Sequence, residues 1–396
     1  MNFVVLAPEA IYPPNTGGRI LVYNRVKYLA ELGHRIDVFV IVDNNQESEL
    51  LKRINIHPNV YLKAYNRNKH KLYNLITALI NPYCVSSRTN KKLMKDLHDF
   101  TEQHNIDYIL VEQPQMLNTL KKICIKDIGI ILDQQNIEYM TMMNISHSLV
   151  FFKKCIYQIE SKRLKKYEEK HYKSQLIDLY TFVSDTDKCF FEDNLNYNNK
   201  PTYLFPIGAE KNCINKKKNN QTKNIIIVGK MSYPPNIEGV LWFYNNVWKE
   251  LTNVFDDLCL YIVGKDPTND LLKLRSDNVI VTGTVDSVNC YYELADVVCI
   301  PIFSGGGVKT KLIEASSYGV PIVSTTNGVK GTAFKHKEHM YITDDPNLFK
   351  EYIINCLDND DDIRMMIEKC YLFFENNYTW EGICKKFLQY LTGDNL

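Results

Sequence analysis

The stretch FSGGGVKTKLIEASSYG, Phe303–Gly319, begins just after the short apolar run Val297–Ile300. Gly305, Gly306 and Gly307 stand where a strand gives way to a helix, and three bare residues let backbone N–H groups converge on one point. The positive end of the following helix aims there too. Val308 closes the loop, and Lys309 and Lys311 add mobile positive charge. Glu314 cannot ligate a phosphate, but one turn into the helix its carboxylate can accept hydrogen bonds from two adjacent hydroxyls such as those of a ribose. The combination predicts a strand–loop–helix unit that holds a nucleoside diphosphate. A purely structural glycine turn would leave the paired lysines and the glutamate without a role.

Working outward, short apolar runs recur between amphipathic segments: Phe3–Leu6, Ile36–Val42, Tyr108–Val111, Ile130–Leu132, Leu179–Val183, then Ile225–Val228, Leu258–Val263, Val279–Val281, Val297–Ile300 and Ile322–Ser324. Strands alternating with helices predict parallel sheets. A lysine-rich polar stretch, Lys211–Asn224, separates the two groups and reads as a linker. The fold class is therefore α/β, with two doubly wound, Rossmann-like domains divided near residue 208. In such sheets ligands bind beyond the C-terminal strand ends, at the switch point, and two such domains are expected to face each other across a cleft.

The chain of 396 residues is 45% hydrophobic and 23% charged, the composition of a soluble globular protein. No run approaches the roughly 18 to 20 apolar residues of a membrane span, and MNFVVLAPEA lacks the marks of a signal peptide. Eleven cysteines form no C-x-x-C pair and read as reduced thiols. A cytoplasmic protein is expected. Residues 1–208 carry 27 Lys+Arg against 22 Asp+Glu, and the remainder 20 against 24, so the halves are +5 and −4. That balance argues against nucleic acid as a partner.

Two further loops follow strands. In YPPNTGGRILVYNRVKYLAELGH (Tyr12–His34), Gly17 and Gly18 precede Val22, Val26 and Leu29 at helical spacing, so a ligand could approach the backbone there. In VGKMSYPPNIEGV (Val228–Val240), Lys230 follows Gly229 at a strand end. The plain alternatives are an ordinary turn and a solvated lysine. Neither the G-x-x-x-x-G-K-[ST] loop nor a G-x-G-x-x-G fingerprint is present in the required context. Asp185 and Asp187 imitate a metal-binding D-x-D, but capping of the next helix by Ser184 or Asp185 explains them better, and no metal is expected. Phe151–Lys173 carries eight Lys+Arg against three Glu; a solvated helix face is one reading and contact with a membrane surface the other.

PPNTGGR and GGGVKTKLIEA resemble the P-x-N-x-G-G-R and G-G-G-[TV]-[KR]-x-K-x-x-E-A motifs of one subgroup of the family 4 glycosyltransferases, enzymes of the two-domain GT-B fold. Residues 1–42, 130–190 and 225–330 carry the resemblance. Tyr378–Leu391 is similar to that family's closing helix, which returns to the N-terminal domain. The implied division is an acceptor-binding domain at 1–208, a nucleotide-sugar domain at 209–377 and a crossover helix at 378–396. By the same resemblance Gly17 and Gly18 would face the donor, Lys230 with Lys309 or Lys311 would neutralise its diphosphate, and Glu314 would take the ribose. No separate cofactor is implied.

Two departures stand out. Gly306 occupies the position eight residues before Glu314 where many relatives have a second glutamate. In DQQNIE (Asp133–Glu138), Gln135 replaces the histidine of D-x-H-N-x-E, and a glutamine can hydrogen-bond but carries no proton or charge. The expected activity is retaining transfer from a nucleoside diphosphate sugar to a glycan or lipid-linked glycan, with Gln135, Lys230 and Lys309 at the reacting end. A non-catalytic nucleotide-sugar-binding or partner-binding protein on the same scaffold is the alternative. A GT-B epimerase would call for paired carboxylates that the sequence does not show.

Overall fold

A computed structural model describes residues 1–68, 81–123, 127–147, 149–212, 222–358 and 360–393. Most of the stretch read as a linker, residues 213–221, lies outside them. All ten apolar runs are strands. The first sheet contains β1 (Asn2–Ala7), β2 (Arg35–Val42), β3 (Val60–Asn66), β4 (Tyr108–Glu112), β5 (Gly129–Gln134), β6 (Leu179–Phe182) and β7 (Thr202–Leu204), in the order β3-β2-β1-β4-β5-β6-β7. The second contains β8 (Lys223–Val228), β9 (Leu258–Val263), β10 (Val279–Gly283), β11 (Val297–Ile300), β12 (Ile322–Ser324) and β13 (Tyr341–Ile342), in the order β10-β9-β8-β11-β12-β13. Every pairing within these sheets is parallel.

Parallel strands covered on both faces bury side chains up and down, which is why they read as unbroken apolar runs. Val4, Leu6, Ile109, Val111, Ile130 and Leu132 are buried in the first core; Ile225, Ile227, Leu260, Ile262 and Val297 form the second. Strand order reverses between β1 and β4 and between β8 and β11. Those are the switch points, beyond whose C-terminal ends ligands bind in open α/β sheets.

The chain divides into one compact unit of Met1–Pro206 with Cys384–Leu396 and another of Ile207–Ile383. The helix Trp380–Thr392 starts in the second unit and ends in the first. Within the first unit its Phe387 stacks on Phe205 with ring centres 4.2 Å apart. The other face of that anchor meets Arg25, from the helix Gly17–Glu31, whose guanidinium lies 3.8 Å from the Phe205 ring centre and donates to the Phe205 carbonyl. Arg25 is buried and pairs with buried Asp133 of β5 at 3.0 Å.

Candidate functional site

The loop after β11 follows the glycine pattern only in part. Gly305 and Gly307 have φ of +90° and +71°, left-handed values that disfavour any side chain, while Gly306 does not. The helix that follows is short, Thr310–Ser316. Together with the loop after β8 it lines a cavity of about 280 Å³ at the switch point of the second sheet. Gly229, Lys230, Gly305, Gly306, Val308, Lys309, Lys311 and Glu314 all line it, joined by Tyr233, Pro235 and Asn236. Gly307 instead supplies a carbonyl to Lys309.

The two lysines are held differently. Lys311 Nζ donates to Asn236 Oδ1 at 2.7 Å, and Asn236 Nδ2 donates to the Lys230 carbonyl at 2.8 Å, so one asparagine ties the two loops together. Gly229 makes room for this contact. A Cβ there would lie 2.7 Å from Asn236 Nδ2 and 3.0 Å from Lys311 Nζ. Lys309 Nζ folds onto its own loop, donating to the Gly307 carbonyl at 2.7 Å and to that of Gly306 at 3.2 Å. Burial lowers both lysines to about 8, with Lys309 adding to the effect on Lys311 and Lys330 to that on Lys309. Lys230 is exposed. Glu314 accepts from the buried Tyr292 hydroxyl at 3.5 Å, and burial raises its carboxyl. The cavity is thus a small chamber lined by lysine ammonium groups and a carboxylate, suited to a diphosphate attached to a diol.

Gly17, Gly18 and Gln135 belong to the first unit. Thr16 caps the helix that begins at Gly17, its hydroxyl accepting from the Arg19 N–H. A Cβ on Gly18 would sit 3.1 Å from Gln135 Oε1 and 3.3 Å from Glu9 Oε1, so the glycine lets this turn lie against the end of β5. The Gln135 amide is held from both ends: its Nε2 donates to Glu112 Oε2 at 3.0 Å, and its Oε1 accepts from Gln113 Nε2 at 3.2 Å. Beneath it, Glu112 and Asp133 are paired in register across β4 and β5, both fully buried. Glu112 Oε1 and Asp133 Oδ2 are both buried with no hydrogen-bond partner, so two buried carboxyl groups face a low-dielectric interior side by side. Burial, and then Asp133, push Glu112 up to about 8.

Sequence reasoning missed Glu112, Gln113 and Asn236. A signal for Asn236 is present: YPPN occurs twice after the first strand of a sheet, at Tyr12–Asn15 in the loop after β1 and at Tyr233–Asn236, where it opens the helix Pro234–Phe243 after β8. For Glu112, at the end of an apolar run, only the register with Asp133 exposes the pair. Ser184 is the N-cap of the helix Asp185–Asn194, its side chain accepting from the Asp187 N–H. Among the described residues no group of three His, Cys, Asp or Glu side chains is placed to hold a metal ion.

Residues 222–359, which contain the cavity, match the family model described as glycosyl transferases group 1. Over 95% of its length the chain is 26% identical to an uncharacterized 44.6 kDa protein in the cps region of Klebsiella pneumoniae, covering 96% of that protein. Its fold is similar to that of HepE from Anabaena in complex with UDP (TM-score 0.68, 11% identity, 99% of this chain and 100% of that one). It is similar also to WaaG, a glycosyltransferase involved in lipopolysaccharide biosynthesis (TM-score 0.64, 13% identity, 99% and 100%). The chain therefore has the GT-B fold of two Rossmann-like units, and the match to the glycosyl transferases group 1 model falls within its second unit.

Proposed function

We propose that the protein is a retaining glycosyltransferase that moves a sugar from a nucleoside diphosphate donor to a hydroxyl of a glycan or lipid-linked glycan. The observation that carries this reading is the convergence of Lys230, Lys309, Lys311 and Glu314 on one chamber at the switch point of the second sheet. In the reaction the acceptor oxygen forms a bond to the anomeric carbon while the bond from that carbon to the diphosphate oxygen breaks. The acceptor proton passes to the departing phosphate on the same face. The lysines stabilise the charge that grows on the leaving diphosphate, so the work usually given to a metal falls to ammonium groups. Gln135, with its amide fixed by Glu112 and Gln113, would offer a hydrogen bond to the sugar in place of the histidine of related sequences. The larger cavity of the first unit, about 1060 Å³, lies at the ends of β2 and β3 and is lined by Asn44, Asn45, Asn66, Arg67 and Asn90 among others. Its amides suit a hydroxyl-rich acceptor.

UDP is the first ligand to test, by calorimetry, followed by release of free UDP from UDP-sugars with and without a glycan acceptor, in buffer containing EDTA. Acceptor-dependent release that survives EDTA is expected. Gln135→Ala should lower turnover more than donor affinity. Tight donor binding with no turnover on any acceptor, restored by Gln135→His, would favour a silent binding protein on the same scaffold. Such an enzyme would act on the cytoplasmic side of the membrane, where nucleotide sugars are made.

A further inference from the structure

Helices Glu138–His147 and Phe151–Tyr172 form a hairpin that rises from the loop after β5. The long helix buries Ser161, Leu164, Tyr167, Glu168 and Tyr172 in its later turns, but none of Phe151–Glu160 is buried. At the tip, Val150, Phe151 and Phe152 are 75%, 81% and 76% exposed, values at which these side chains contact little but solvent. Ile145, Ile156 and Ile159 are exposed beside them. Leaving so much apolar surface in water is unfavourable unless something covers it. Lys153 and Lys154 adjoin the aromatic pair, and the sequence holds no acidic residue between Glu138 and Glu160.

We propose that this hairpin tip docks on an anionic lipid bilayer, with Val150, Phe151 and Phe152 entering the interface and Lys153 and Lys154 meeting the headgroups. Apolar side chains at a convex tip beside lysines, with no carboxylate among them, match the layered chemistry of a charged bilayer surface. A second copy of the chain fits worse, because a symmetric contact would bring the lysines of both tips together unopposed. Among the described residues no helix is long and apolar enough to cross a membrane, so the contact would be interfacial. The hairpin also bears on the acceptor. Its first helix starts three residues after Gln135 and, at ten residues, is about 15 Å long, so a bilayer at the tip would lie within reach of a lipid-linked acceptor presented near Gln135. That last step rests on the transferase reading; the docking itself does not.

The test is co-flotation of the whole protein with vesicles of phosphatidylcholine alone or mixed with phosphatidylglycerol, at low and high salt. Binding to the mixed vesicles that weakens with salt is expected. The double variant Phe151→Ser/Phe152→Ser should bind about tenfold more weakly or worse, and Lys153→Gln/Lys154→Gln about tenfold more weakly on mixed vesicles only. Both should melt like the parent and bind UDP unchanged. Equal flotation of parent and variants, or none by the parent, overturns the proposal. A tip that instead holds a protein, seen as self-association lost in the aromatic variant without vesicle binding, overturns it as well. Flotation without turnover on any acceptor would sink the transferase reading alone, and turnover on a soluble acceptor without flotation would sink this one alone.

Discussion

Glu112 and Asp133 share a single buried cation, Arg25, so a second negative charge between β4 and β5 would be uncompensated. Burial, and then this neighbouring carboxyl group, push Glu112 up to about 8 from an ordinary 4.5. Between those values the folded chain keeps a proton that the unfolded chain releases, so the stability present at low pH is lost as pH rises toward 8. Glu112→Gln retains a donor toward Asp133 and an acceptor toward Gln135 but cannot ionise. Urea unfolding should show the variant gaining stability relative to the parent between about pH 5 and about pH 8, and a constant difference would refute a raised Glu112. Lys311 gives ligand binding a pH dependence of the same sign. Its ammonium, lowered to about 8, is the form that attracts a diphosphate, so UDP affinity should fall as pH rises through that value. Lys311→Met should weaken UDP binding about tenfold or more at neutral pH and flatten this dependence.

The loops after β8 and β11 act as one element, because Asn236 bonds both the Lys230 carbonyl and the Lys311 ammonium. Gly229→Ala would push a methyl into that contact, so UDP affinity should drop while the melting temperature stays close to that of the parent. Gly306 is the opposite case. An added Cβ meets nothing within 4 Å and the backbone is not left-handed, so Gly306→Glu should change stability by less than about 0.5 kcal/mol. Gly305→Ala, at φ +90° and 3.0 Å from the Tyr233 hydroxyl, should be the costlier change. Thermal unfolding of the pair reads the contrast directly.

At the scale of the molecule, Arg25 fastens the helix Gly17–Glu31 to β5 and to Phe205, on which the returning Phe387 also stacks. Arg25→Met leaves Asp133 buried without its cation, and the first unit should lose about 3 to 5 kcal/mol in denaturant unfolding. UDP affinity below the transition should be unchanged, since Lys309 and Lys311 rest on a separate core. The ten apolar runs determined by themselves ten of the strands and that both sheets are parallel, because an interior strand covered on two faces must be apolar throughout. The strands they omitted, β3, β7 and β13, are all sheet edges, where burial is partial or the strand is only two or three residues long, and so the apolar signal fades. The glycines, lysines and glutamate after β11 were legible too, as a cluster of residue types in one short stretch, most of which the structure brings to one cavity. Tertiary structure alone decided the rest. Asn236 gains its role from meeting Lys311, 75 residues away, and Glu112 from lying beside Asp133. Such pairs follow from strand order and register, which bring distant residues within hydrogen-bonding range without any local pattern in the chain to announce them.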